Sequence, residues 1–161
     1  MSAPLPPSLS DLLSAGAICT RIVSTVEVGT SIVAAARIMR ESHVGCVVAI
    51  EDPARTSRVV GLLTDRDIAV SAVALDLDVR RLRVGDLMSR DVVTAREGDP
   101  LGLVLERMRE AGVRRIPVLS DAGALVGLIS FDDLQAALAL QVRAMTEVLV
   151  VGRLNEAAQQ Q

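Results

Sequence analysis

Two stretches of this chain, each about 60 residues long, repeat one another. Adding 69 to the first-copy numbers carries Val23 onto Val92, Thr25 onto Thr94, Gly29 onto Gly98 and Met39-Arg40-Glu41 onto Met108-Arg109-Glu110. Val44 falls on Val113. Past the following loop the offset drops to 66, so Gly61 meets Gly127 and the first copy carries a loop three residues longer. A unit of this size leaves its sheet and helices half covered. Two copies are therefore expected to pack sheet against sheet about a pseudo-twofold axis, with helices outside: an α+β fold whose clefts lie between the halves.

Each copy reads strand, helix, strand, strand, helix. Residues 22–26 predict a first strand, which Gly29 and Thr30 end. Thr30 caps a helix with Ile32, Ala35, Ala36 and Met39 at i, i+3, i+4 and i+7, the stripe of one buried face. The continuous apolar run 44–50 suits a strand covered on both sides. After a polar loop over 51–58 containing Pro53, a third strand over 59–63 feeds a helix over 65–73. In the second copy, Asp99 is the expected cap and Pro100 the first helical position, with Leu101, Val104, Leu105 and Met108 facing inward.

The same turn closes both copies, as G-L-L-T-D-R-D from Gly61 to Asp67 and G-L-I-S-F-D-D from Gly127 to Asp133. A hydroxyl residue, Thr64 or Ser130, stands three positions before a carboxylate, Asp67 or Asp133. The plainer reading is a capping box that satisfies the free N–H groups of a helix start. The functional reading uses the same physics: those N–H groups and the helix dipole attract a phosphate, the hydroxyl donates to it, and the carboxylate accepts from ribose hydroxyls. A single occurrence favours the cap. The repetition favours a site.

Half of the residues are apolar, so a full core is within reach, and with Phe131 the only aromatic it must be built from aliphatic side chains and Met. All 17 basic residues are Arg, which excludes a Schiff-base or phosphate-loop lysine. A net charge of −3 argues against general nucleic-acid binding. Cys19 and Cys46 have neither metal spacing nor a disulfide framework, and no metal site is expected. His43, the only histidine, falls at a helix end and reads as a C-terminal cap rather than a catalytic group. Neither a membrane-spanning run nor a signal-peptide pattern is found, and the expectation is a soluble, cytoplasmic protein.

The organisation expected is a flexible lead over 1–8, a first repeat over 9–75 opening with a short helix over 9–15, a linker over 76–83, a second repeat over 84–142 opening with a short helix over 84–88, and a helical extension and tail over 143–161. The last helix runs from about Asp132 to Val151, with Val142, Met145, Leu149 and Gly152 in helical spacing as more core or as a partner-binding face. Residues 155–161 are expected to be disordered.

The duplicated unit resembles the cystathionine β-synthase (CBS) domain, which occurs in tandem pairs called Bateman modules. The likeness rests on the two G-h-h-[ST]-x-x-D turns (h is apolar), the M-R-E-S-H-V-G and M-R-E-A-G-V-R helix ends, the R-R-I-P-V-L strand and the V-G-D-L-M-S-R-D-V-V-T opening of the second copy, and covers residues 9 to 142. What the resemblance implies is a regulatory sensor without catalytic residues, binding AMP, ADP or ATP, or else NAD or S-adenosylmethionine, between the repeats. It places Asp133 on the ribose and Ser130 on a phosphate in one site, with Arg114 and Arg115 as phosphate contacts and the adenine against Thr25 and Val44. The second site takes Thr64 and Asp67, with Thr94 and Val113 beside the base. Gly45 and Cys46 stand where the other copy has Arg114 and Arg115, so tighter binding of a phosphorylated ligand is expected at the Asp133 site.

The resemblance also implies a homodimer that meets through its helices and transmits ligand binding to dimer shape or to an unknown protein partner. An enzyme is disfavoured by the single histidine and by the lack of a metal cluster, a triad or a lysine. A scaffold or nucleic-acid contact through Arg80, Arg81 and Arg83 is the remaining class, opposed by the acidic balance.

Overall fold

The computed structural model describes residues 14–51 and 57–159, the side chains of 148–159 excepted. The expected lead over 1–8, most of the helix expected over 9–15 and the loop around Pro53 lie outside the described residues. In chain order the elements are α1 (Ala15–Ile18), β1 (Thr25–Glu27), α2 (Ile32–Glu41), β2 (Cys46–Glu51), β3 (Arg58–Thr64) and α3 (Asp65–Asp67). α3 continues as a π-helix over Ile68–Val73, where an α-helix was expected. Then come α4 (Val84–Leu87), β4 (Ala95–Arg96), α5 (Leu101–Ala111), β5 (Arg115–Leu119), β6 (Leu125–Ser130) and α6 (Phe131–Gln159).

The strands form two three-stranded sheets, ordered β1-β2-β3 and β4-β5-β6. In each, the first strand runs parallel to the second and the second antiparallel to the third. Even the irregularities repeat: the register shifts between Ala49 and Ile50 and again between Val118 and Leu119, positions related by the offset of 69. Val47, Ala49 and Leu63 face the helices of the first copy. Ile116, Val118 and Ile129 do so in the second. Cys46, Val48 and Ile50, alternating with them on the other face of β2, are also buried, so this strand is covered on both faces.

The helices follow the predicted stripes with one shared departure. Ile32, Ala35 and Met39 of α2 are buried, as are Leu101, Val104 and Met108 of α5. The i+4 positions, Ala36 and Leu105, are exposed in both copies, so the apolar face is narrower than expected. Two caps also differ. Ser31, not Thr30, accepts from the Ala34 N–H at 3.2 Å. Pro100 rather than Asp99 occupies the cap of α5, while Asp99 accepts from the Arg96 N–H at 2.9 Å and pairs with Arg107. Burial opposes the charge on Asp99, but the Arg96 N–H and the Arg107 guanidinium outweigh it and hold the carboxyl below its ordinary range.

The short helices exchange between copies. α1, at the start of the first copy, contributes Ala15 to the core that contains Leu101, Val104 and Ile116 of the second. α4, which leads into the second copy, contributes Val84 and Met88 to the core of the first. Paired bridges fix this arrangement: Ser14 with Pro100 and Thr20 with Leu128 on one side, Arg83 with Ser31 and Ser89 with Leu62 on the other.

α6 spans 29 residues, about 43 Å at the α-helical rise. It starts at Phe131 and continues to Gln159, past the expected end near Val151 and through residues 155–159, where a disordered tail was expected. Leu134 is buried against the second copy, whereas Leu138, Val142 and Met145 are 50%, 64% and 69% exposed, so this stretch is not core within one chain. Among the described residues no helix is long and apolar enough to cross a membrane.

Candidate functional site

Both G-h-h-[ST]-x-x-D turns close as strand end, cap and helix start. The Thr64 hydroxyl donates to Asp67 Oδ2 at 2.8 Å and the Thr64 N–H to the same oxygen at 2.9 Å, while the Asp67 N–H donates to Thr64 Oγ1 at 3.1 Å. Ser130 and Asp133 repeat the pattern at 2.6, 2.8 and 3.2 Å. The capping-box reading therefore describes both turns. It does not use up the carboxylates: each offers Oδ2 to the cap, and among the described residues no hydrogen bond reaches Oδ1 of either. One oxygen per turn remains to accept from a ligand hydroxyl.

The two turns differ in what surrounds them. Thr64 and Asp67 line a cavity of about 580 Å³ between the copies, within the range of small-molecule sites. Its opposite wall is second-copy backbone and side chain: Val92 and Val93 from the segment before β4, and Val113, Arg114 and Arg115 at the start of β5. The lining carries three acidic residues, Asp65, Asp67 and Asp91, and three arginines, Arg66, Arg114 and Arg115. Both walls are thus mixed, Leu62 standing with Asp65, Arg66 and Asp67 on the first copy, and Val92, Val93 and Val113 with Arg114 and Arg115 on the second.

This grouping departs from the expected one. The resemblance places Arg114 and Arg115 with the Ser130 and Asp133 turn, and Arg115 is in register with Ser130. Register joins backbones, however, and side chains leave the plane of a sheet. From the start of β5 the Arg115 guanidinium crosses to the first copy, where a Cβ on Gly45 would lie 3.2 Å from its Nη2. Arg114 extends to Asp132 Oδ1 at 3.5 Å, an exposed pair, and also lines the Thr64 cleft. Ser130 and Asp133 do not line it.

The residues expected beside the base are dispersed. Val113 lines the cleft. Val44 lines a separate cavity of about 350 Å³ with Met39, Asp65 and Ile68. Thr25 lines one of about 160 Å³ with Val23, Ile50 and Val126, and Thr94 one of about 480 Å³ with Arg58, Arg90 and Leu119. Sequence reasoning missed Asp65, Arg66, Asp91, Val92 and Val93. Asp65 and Arg66 lay inside the quoted turn, and the signal for the other three was the segment exchange, which brings the residues before β4 alongside β3.

His43 sits at the end of α2 with φ of 53°, and its counterpart Gly112 ends α5 at 65°. The left-handed residue that stops each helix is the role expected of His43, with glycine taking it at lower cost in the second copy. Burial raises the thiols of both Cys19 and Cys46, with Arg115 pulling Cys46 the other way. Among the described residues no group of three or more His, Cys, Asp and Glu side chains could hold a metal ion.

Known proteins match this arrangement along most of its length. The CBS domain model fits residues 15–73 and again 84–140. An uncharacterized 17.7 kDa protein of Acidianus ambivalens is 34% identical over 128 residues, 80% of this chain and 74% of that one. The uncharacterized protein MK0525 of Methanopyrus kandleri is 28% identical over 122 residues, and there the chain covers 61% of the relative's length. The crystal structure of the CBS domain pair of protein MJ0100, in complex with 5'-methylthioadenosine and S-adenosyl-L-methionine, superposes with a TM-score of 0.70 over 80% of this chain and 97% of that one, at 23% identity, which speaks for the fold. With two consecutive matches spanning well over half its residues, the chain belongs to the CBS domain family, as a tandem pair.

Proposed function

We propose that this protein is a regulatory module that binds an adenine nucleotide, AMP, ADP or ATP, in the cleft at Thr64 and Asp67. The observation that carries this reading is the meeting, in one cavity of about 580 Å³, of a carboxylate with a free oxygen, a capped helix start and two arginines from the other repeat. Asp67 Oδ1 accepts from the ribose hydroxyls. Thr64 and the guanidiniums of Arg114 and Arg115 take the phosphate, where a planar fork matches its oxygens. The base lies against Val92, Val93 and Val113. Nothing in the cleft calls for a reaction, so its output is a change in shape or in partner affinity, which requires the ligand to prefer one state.

The second turn, Ser130 with Asp133, is a weaker site for a phosphorylated ligand, because the positions matching Arg115 and Arg114 are Cys46 and Gly45. The proposed order of affinities is thus the reverse of the one that follows from the resemblance. A less charged adenosine derivative is the second reading, favoured by the three carboxylates of the cleft and by the ligands of the MJ0100 pair. NAD is a further candidate on the resemblance alone.

A homodimer fits the exposed apolar side chains of α6, and an unknown protein partner is the other recipient of the signal. The chain has no Trp and no Tyr, so strong absorbance near 260 nm in nuclease-treated protein reports a carried nucleotide directly. Calorimetry against AMP, ADP, ATP, NAD, S-adenosylmethionine and 5'-methylthioadenosine decides among them. Absence of heat with all six overturns the reading.

A further inference from the structure

We infer that Gly45 and Asp65 set how strongly the Thr64 cleft holds a phosphate, by governing the position and the free charge of Arg115. The inference rests on the cleft being an adenine-nucleotide site and adds the residues that decide its preference for a phosphorylated ligand.

Arg115 belongs to the second repeat, yet its guanidinium lies over the first. It passes across the bare Cα of Gly45, where a Cβ would stand 3.2 Å from Arg115 Nη2 and 3.3 Å from Asp65 Oδ2. Both contacts are tight enough that an added side chain displaces the ends of Arg115 and Asp65. Gly45 and Asp65 are also joined through the backbone, the Asp65 N–H donating to the Gly45 carbonyl at 3.1 Å.

Charge gives the slot its second role. Asp65 Oδ1 accepts from the Arg66 N–H at 2.8 Å, and Oδ2 lies, like Arg115 Nη2, against the Cα of Gly45. Arg115 forms no ion pair within 4.0 Å among the described residues, whereas Arg114 reaches Asp132. The Arg115 charge is thus partly offset by a near carboxylate without being locked to it. The cation and the anion both act on the buried Cys46 thiol, one lowering and one raising its proton affinity, which places both beside that residue. A phosphate entering the cleft competes with Asp65 for Arg115. Adenosine, which has no phosphate, does not.

Calorimetry with AMP and adenosine on the full chain tests this. Asp65→Asn is expected to tighten AMP about fivefold while adenosine stays within about twofold. If Asp65 acts through Arg115, the gain disappears in an Arg115→Gln background; if it only repels phosphate directly, the gain persists and the inference fails. Gly45→Val is expected to weaken AMP and spare adenosine. An unchanged ratio of AMP to adenosine affinity in Asp65→Asn also overturns the inference, and that arm decides the matter if the valine variant does not fold. A wild-type protein that binds neither compound would instead remove the cleft reading itself.

Discussion

Met88 occupies the space that a side chain on Gly61 would need: a Cβ built there would run into the Met88 sulfur and its neighbouring carbons. Cys19 stands against Gly127 in the same way. The glycine that opens each G-h-h-[ST]-x-x-D turn is therefore required by packing, because it admits the segment exchanged from the other copy. Gly61→Ala is expected to destabilise the protein by about 1–3 kcal/mol, the usual cost of overfilling a packed interior. Chemical denaturation checks it, and a loss no greater than that of an exposed substitution would contradict the close fit.

Replacing each turn carboxylate separates structure from ligand. Asp67→Asn and Asp133→Asn each weaken a capping box and should cost about 1 kcal/mol of stability. Only Asp67→Asn should reduce AMP affinity substantially, since only that turn lines the arginine-bearing cleft. Equal losses of AMP binding in both variants would show that the two turns serve equivalent sites.

Arg114→Ala and Arg115→Ala should each weaken AMP about tenfold, the scale of a charge-assisted hydrogen bond, and leave adenosine nearly untouched. Binding of AMP should also fall with added salt, as exposed charge pairs do. Titration calorimetry at two salt concentrations reads both effects.

Asp99 makes stability depend on acid. Its carboxyl titrates below the ordinary range in the folded protein, so its contribution is complete above the unfolded value, near pH 4, and is lost as pH falls through the lower folded value. Asp99→Asn should therefore be less stable than the parent at neutral pH, by about 1 kcal/mol. The gap should close progressively below about pH 4. A gap that stays constant down to strong acid would exclude the linkage.

The exposed row Leu138, Val142 and Met145 on α6 is spaced by four and three residues, the interval of helices that pair. If the protein is a dimer through this face, the double change Val142→Glu with Met145→Glu shifts it to monomer in sedimentation equilibrium without lowering the unfolding midpoint of the pair. An unaltered mass would place the interface elsewhere.

Much of this fold was legible because duplication multiplies weak signals. A single Thr64-x-x-Asp67 is an ordinary cap, but Ser130 and Asp133 at the matching offset turned it into an architecture. The stripe Ile32, Ala35, Met39 and its echo Leu101, Val104, Met108 placed both long helices. What was not legible is direction. Arg115 is beside Ser130 along the ladder, yet it projects off the sheet toward Gly45, and no one-dimensional pattern says which face of which neighbour a long side chain crosses. The exchange of α1 was hidden for a different reason: four residues carry no periodicity. The length of α6 past Val151 was misjudged because polar Asn155 to Gln159 read as a tail, although a helix already under way continues through such residues at little cost.

The reciprocal bridges at Ser14 and Arg83 have one last effect. Divided at the link near Asp78, the chain would not yield two self-sufficient halves. Each fragment would carry the cover meant for its sibling and lack its own, so severed pieces mixed together should recover the whole, whereas either one by itself should aggregate.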